Sequence, residues 1–160
     1  MDNIVIILAG GLGKRMESEL PKVCHTFKSI PMIVRVYNES TKLGSNKFLI
    51  VVGKYKEVIK TTLERYNIIE NINYEFIIQE TPLGTGHAVL CCRDYLKQYD
   101  NSNVLILCGD VPLITHDLML KMITNFENIK CMTTCYKDPK SYGRIIRNGG
   151  IFEKITEFKD

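Results

Sequence analysis

The chain has 160 residues, 45% of them apolar and 24% charged, with 21 basic and 18 acidic side chains and a net charge of +3. That is the size of one domain, long enough to bury about 70% of its unfolded surface, and an ordinary soluble composition. The charge is too mild and too evenly scattered for a nucleic-acid binder, and no apolar run approaches a membrane span. The first residues, Met1-Asp2-Asn3, lack a basic leader, so a cytoplasmic chain with reduced thiols is expected. The six cysteines form no paired CxxC; Cys24, Cys108, Cys131 and Cys135 have apolar neighbours and read as core filler.

The chain begins with a β-branched and apolar run, Ile4 to Ala9, which predicts a strand buried on both faces. It flows into Gly10-Gly11-Leu12-Gly13-Lys14-Arg15-Met16, and Pro21-Lys22 follows. Glycines let backbone N–H groups approach a ligand, and Lys14, Arg15 and Lys22 add positive charge. This combination suits a polyanion, most simply a triphosphate. It is not a Walker A loop, because Gly13-Lys14 is followed by Arg15, nor a dinucleotide fingerprint, because Met16 stands where the last glycine belongs.

Pro31 opens a helix with Met32, Ile33, Val36, Tyr37 and Ser40 on one face, and Gly44 ends it. A second buried strand is predicted over Lys47 to Gly53, a helix over Tyr55 to Tyr66 with Val58, Ile59, Thr62 and Leu63 on one face, and a third strand over Tyr74 to Gln79. Leu83 to Tyr99 opens on Gly-Thr-Gly and continues as an amphipathic helix. Val104 to Cys108 is a fourth buried strand, stopping at Gly109-Asp110. Thr115 caps a helix with Leu118, Met119, Met122, Ile123 and Phe126 on its apolar face. Lys130 to Tyr136 is predicted as a fifth strand. Tyr142 to Arg147 and Ile151 to Ile155 form a hairpin across Asn148-Gly149-Gly150. Strands alternating with helices predict an α/β fold with a mostly parallel sheet, Rossmann-like, whose ligands sit at the carboxyl ends of the strands.

Three polar features fall on that edge: the glycine loop, Gln79 and Asp110. Asp110 is the candidate metal ligand, since Mg²⁺ takes one or two carboxylates and fills its shell with water and phosphate oxygens; an Asx turn in Gly-Asp-Val-Pro explains it equally well. The Gln79 carboxamide can read both a donor and an acceptor on a base edge. Gly84 to Gly86 would open the following helix toward the ligand, or simply cap it. Gln79 and Gly84-Thr85-Gly86-His87 form one constellation; no acidic partner of His87 is evident nearby in sequence, so it is not read as a base, and neither are His25 and His116.

L-A-G-G-L-G-K-R-M with P-K-V-C-H, Q-E-T-P-L-G-T-G-H-A-V, G-D-V-P-L-I and Y-G-R-I-I-R, in this order, resemble the N-acetylglucosamine-1-phosphate uridylyltransferases, within the sugar-phosphate nucleotidyltransferases. The resemblance runs from Ile4 to the end of the chain. It implies a nucleotide-diphospho-sugar transferase fold over residues 1–160 and transfer of UMP from UTP to N-acetylglucosamine-1-phosphate; transfer to another sugar-1-phosphate, and a nucleotide-binding fragment without turnover, are the alternative expectations. It implies that Leu8, Ala9, Gly10 and Gly11 run along the uridine, that Lys14 and Arg15 face the outer phosphates, and that Lys22 neutralises the reacting centre. Gln79, Gly84 and Thr85 would read the uracil, Asp110 would hold Mg²⁺, and Gly143 and Glu157 would contact the amino sugar. The family loop usually has Ala where Gly10 stands and Thr where Lys14 stands. The resemblance also implies a further sugar contact and a second metal ligand beyond Asp160, so the domain is expected to lack its C-terminal part. The acetyltransferase repeat that makes bacterial members trimers is not matched, and trimerisation is not implied.

Overall fold

The computed structural model describes residues 3–11, 13, 16–44, 47–125 and 127–156. The chain divides into two compact units, residues 1–128 and 129–160. The first holds the main sheet. Strand β1 (Asn3–Leu8) is a 3-10 turn away (Lys22–Cys24) from two two-residue strands, β2 (Thr26–Phe27) and β3 (Ile30–Pro31), which pair antiparallel. Helix α1 (Met32–Thr41), β4 (Lys47–Val52), α2 (Lys56–Glu64) and β5 (Glu75–Ile78) follow. Two short helices, α3 (Thr85–Leu90) and α4 (Arg93–Leu96), lead to β6 (Asn103–Cys108) and α5 (His116–Ile123).

The sheet runs β5-β4-β1-β6, and every pairing in it is parallel. The chain moves outward from β1 to β4 to β5, then returns to the other side of β1 for β6. The reversal of strand order falls at β1, where open α/β sheets form a crevice at the strand carboxyl ends.

Side-chain alternation divides the core between the two faces. Val5, Ile7, Ile50, Val52, Leu105 and Leu107 point to one face, under α1, α2 and α5. Ile4, Ile6, Leu49 and Val51 point to the other, under Ala88 and Cys92 of the α3–α4 region. A strand covered on both sides needs no polar face, and Ile4 through Ile7 are all fully buried, as expected. Each such side chain contributes on the order of 1.5–3 kcal/mol of burial free energy.

Several expectations need correction. The fourth strand is not buried on both faces: Leu105 and Leu107 are buried, while Val104, Ile106 and Cys108 are exposed. The reason is lateral position. β6 is an edge strand, and α3 and α4 pack over β1 and β4 rather than over it. The helix predicted within Leu83 to Tyr99 is broken into α3 and α4. Of the four cysteines read as core filler, only Cys24 is buried; Cys108, Cys131 and Cys135 are exposed, whereas Cys92 is buried. In α2, Ile59 and Leu63 are buried but Val58 is 40% exposed. The Thr115 cap is present, its hydroxyl oxygen accepting from Leu118 N at 3.3 Å; Phe126 lies outside the described residues.

In the second unit the predicted hairpin is present as β7 (Arg144–Asn148) and β8 (Ile151–Thr156). Gly149 and Gly150 both have positive φ, +57° and +85°, which a tight two-residue hairpin loop requires. The strand predicted over Lys130 to Tyr136 does not form. Among the described residues no strand pairs with it, and an apolar run becomes a strand only when a ladder partner takes up its N–H and C=O groups.

Candidate active site

The main sheet's ladder continues one step past its strand ends and so fixes the loops that follow. Ala9 N donates to Val51 O at 2.8 Å, Gln79 N to Val52 O at 2.8 Å and Gly109 N to Leu8 O at 2.9 Å. Three separate segments are thereby pinned at one edge. Gly109 packs closely there: a Cβ would lie 3.1 Å from Leu8 O and 3.2 Å from a Val23 methyl carbon, tight enough that both would have to give by a few tenths of an ångström.

Lys22 is presented by a short buried anchor. Cys24 N donates to Pro21 O at 2.9 Å, closing a 3-10 turn, and Val23 and Cys24 are buried beneath it. Gly13, at φ +55°, would bring a Cβ to 3.1 Å from the Lys22 Cβ, so the glycine loop lies against the base of this lysine. Lys22 Nζ donates to Asp110 Oδ2 at 2.6 Å across 88 positions of sequence. The two side chains keep 43% and 32% of their surface open to solvent, so the pair faces the cleft.

On the opposite wall Gln79 is 6% exposed. Its Nε2 donates to the Gly84 carbonyl at 3.0 Å and lies 3.1 Å from His87 Nδ1. Gly84 has φ +106°, a conformation that favours glycine at the start of α3.

These groups line a single open cleft of about 280 Å³. Of the residues expected at the site, Leu8, Gly10, Gly11, Lys22, Gln79, Gly84, Thr85 and Asp110 all line it. Ala9 instead packs into the core below the loop, 2% exposed. Lys14, Arg15 and Glu157 lie outside the described residues. Gly143 belongs to the second unit, immediately before β7. Cys108 also lines the cleft. Desolvation, and then the Asp110 carboxylate, push its thiol up from its ordinary value, which disfavours a thiolate there.

No group of three or more His, Cys, Asp and Glu capable of holding a metal is present among the described residues. A hard oxygen donor in a phosphate-sized cleft, Asp110, fits the way Mg²⁺ is held by one carboxylate, substrate phosphates and water. The sequence groups His87 with Gln79 and Gly84-Thr85-Gly86 but assigns it no role; its partner is the Gln79 amide, eight residues earlier and just past β5.

The model of the MobA-like NTP transferase domain matches residues 5–155. The chain belongs to this family. Within it, the chain is 41% identical to the bifunctional protein GlmU of Thermoanaerobacter pseudethanolicus over 98% of its own length and 34% of that protein's. It is 38% identical to a probable UDP-N-acetylglucosamine pyrophosphorylase of Acanthamoeba polyphaga mimivirus, over 98% of this chain and 62% of the viral protein. It thus spans about a third of the GlmU relative and under two thirds of the viral one. Among solved structures, a UDP-glucose pyrophosphorylase from Acinetobacter baumannii superposes with TM-score 0.56 and 25% identity, covering 69% of this chain and 46% of that one. Rv0371c from Mycobacterium tuberculosis superposes with TM-score 0.60 at 13% identity, over 77% and 59%, a likeness of fold. This NTP transferase domain has no helix long and apolar enough to cross a membrane among its described residues.

Proposed function

We propose that residues 1–160 act as a cytoplasmic nucleotidyltransferase domain that transfers UMP from UTP to N-acetylglucosamine-1-phosphate, giving UDP-N-acetylglucosamine and pyrophosphate. The observation that carries the reading is the assembly of the glycine loop, Lys22, Asp110, Gln79 and the Gly84-Thr85 turn around one cleft at the strand-order reversal. The names of the GlmU and viral relatives support the substrate class.

In this reading an oxygen of the sugar phosphate attacks the α-phosphorus of UTP in line, the bond to the β-phosphate oxygen breaks, and pyrophosphate leaves. The nucleophile is already an anion, so the protein supplies no general base; it supplies position and charge. Gly10 and Gly11 bring backbone close to the nucleoside. Lys22 faces the reacting phosphorus, and a polyanion entering the cleft competes with Asp110 for its ammonium. Arg15 and Lys14 serve the outer phosphates. Gly143 and Glu157 serve the amino sugar. Mg²⁺, held by Asp110 together with substrate oxygens, would neutralise phosphate charge and orient the α-phosphate.

The test is pyrophosphate release from UTP across a panel of sugar-1-phosphates, with and without Mg²⁺. Fastest release with N-acetylglucosamine-1-phosphate is expected. A stronger response to glucose-1-phosphate would keep the reaction and replace the sugar. Release from no sugar phosphate would end the reading.

A further inference from the structure

Gln79 is almost fully buried at the end of its strand, and the roles of its carboxamide atoms follow from its neighbours. The group has two N–H donors and one carbonyl acceptor. The Gly84 carbonyl can only accept, so Nε2 must face it, at 3.0 Å. The second N–H is directed at His87 Nδ1, 3.1 Å away, and is accepted there when His87 carries its proton on Nε2. Both donors are then engaged, and Oε1 is the atom left to meet a ligand. It lies beside the glycine loop: a Cβ on Gly10 would come to 3.3 Å from it, and Gln79 and Gly10 both line the cleft.

We propose that His87 is a positioning residue for base selection: it locks the Gln79 carboxamide with its carbonyl toward the cleft, so the site takes a pyrimidine presenting a ring N–H there and rejects one presenting a bare ring nitrogen. The inference rests on the nucleotide-site reading above and deepens it. Uracil has its N3–H between two carbonyls and offers a donor to Oε1. Cytosine has a lone pair at N3, which faces Oε1 lone pair against lone pair. Its nearest donor, the exocyclic amine, sits one position along the edge. Using that amine slides the base, and the ribose and phosphates with it, away from the loop that holds them. Without His87 the amide is held by one hydrogen bond instead of two, so turning it to offer an N–H to cytosine costs less and the discrimination between the bases shrinks.

The experiment measures UTP and CTP affinities by calorimetry on the 160-residue chain and on His87→Phe and His87→Asn. His87→Phe removes the acceptor and is expected to cut the UTP-to-CTP affinity ratio about tenfold, the worth of one engaged hydrogen bond. His87→Asn, whose Oδ1 can accept the same N–H, is expected to keep most of the ratio. A His87→Phe protein that binds UTP with an unchanged ratio would overturn the proposal. Should that variant not fold, the ¹⁵N spectrum of the His87 ring in the unaltered protein decides: a proton on Nε2 is expected, and a proton on Nδ1 overturns the proposal. If the unaltered chain binds neither nucleotide, the nucleotide-site reading fails first and takes this inference with it. Binding of UTP with no His87 dependence, by contrast, removes this inference alone.

Discussion

Lys22 and Asp110 sit 2.6 Å apart and partly open to solvent. A pair so exposed contributes only about 0–1 kcal/mol to stability, because water screens it and two side chains lose freedom to form it. Its importance is positional: one cation and one carboxylate are held at the same point of the cleft by a buried 3-10 turn on one side and a strand end on the other. Asp110→Asn is therefore expected to leave the melting temperature nearly unchanged while lowering pyrophosphate release by about 10²-fold or more. Melting and turnover measured on one preparation check both halves. Wild-type turnover in Asp110→Asn would remove that carboxylate from the reaction. At this scale the sequence was informative wherever a residue's neighbours along the chain announce its setting. Lys22 follows a proline, Asp110 follows a strand and a glycine, and Gln79 ends an apolar run. The direct pairing of Lys22 with Asp110, 88 positions apart, was not legible, since it depends on which segments the fold brings together at the end of the sheet; the contact of His87 with Gln79 depends on how the chain turns between β5 and α3.

Helix α2 is tied to the approach to β5 by a three-charge clamp. Lys56 Nζ and Lys60 Nζ, one helical turn apart, reach Glu70 at 3.3 and 3.0 Å. Burial pushes the Glu70 carboxyl up, and the hydrogen bonds from Lys60 and Lys56 outweigh it, so the net shift is downward. A folded-state value below the unfolded one means the clamp stabilises fully above the unfolded carboxyl range and fades as pH falls through the folded value. Glu70→Gln is expected to cost up to about 1 kcal/mol at pH 7, a modest figure because both lysines are a third exposed. The gap from wild type should close below about pH 4. Urea unfolding at about pH 7 and about pH 3 reads it directly, and a gap of equal size at both pH values would show that Glu70 acts through packing rather than charge. Element existence was legible for the central strands because uninterrupted apolar runs such as Ile4 to Ile7 have little other use in a soluble chain. Lys130 to Tyr136 mixes cysteine and methionine with β-branched threonines and forms no strand, since strand formation depends on a partner that local pattern does not reveal. The exposed face of β6 was hidden for the same reason: Val104 and Ile106 look like core residues until the sheet order makes their strand an edge.

At the scale of the whole chain, the nucleotide half and the sugar half of the proposed reaction draw on different stretches. Every cleft residue described here lies between Leu8 and Asp110, within the unit spanning residues 1–128. Gly143, the one described residue assigned to the sugar, lies in the unit spanning residues 129–160, exposed and directly before the β7–β8 hairpin. Among the described residues the main sheet and the β7–β8 hairpin are separate ladders. The two substrates should therefore respond separately. Gly143→Ala adds a methyl group where the backbone would approach the sugar and is expected to raise KM for the sugar phosphate about tenfold, leaving the UTP dissociation constant unchanged. If kcat holds while KM rises, the residue contributes to ground-state binding of the sugar; if instead kcat falls and KM is unchanged, the contact forms only as the phosphorus is attacked. Calorimetry with UTP alone, beside initial rates over a range of sugar phosphate, separates the cases. An equal loss in UTP affinity would show that Gly143 acts on the nucleotide cleft itself, and the division of labour between the two stretches would be wrong.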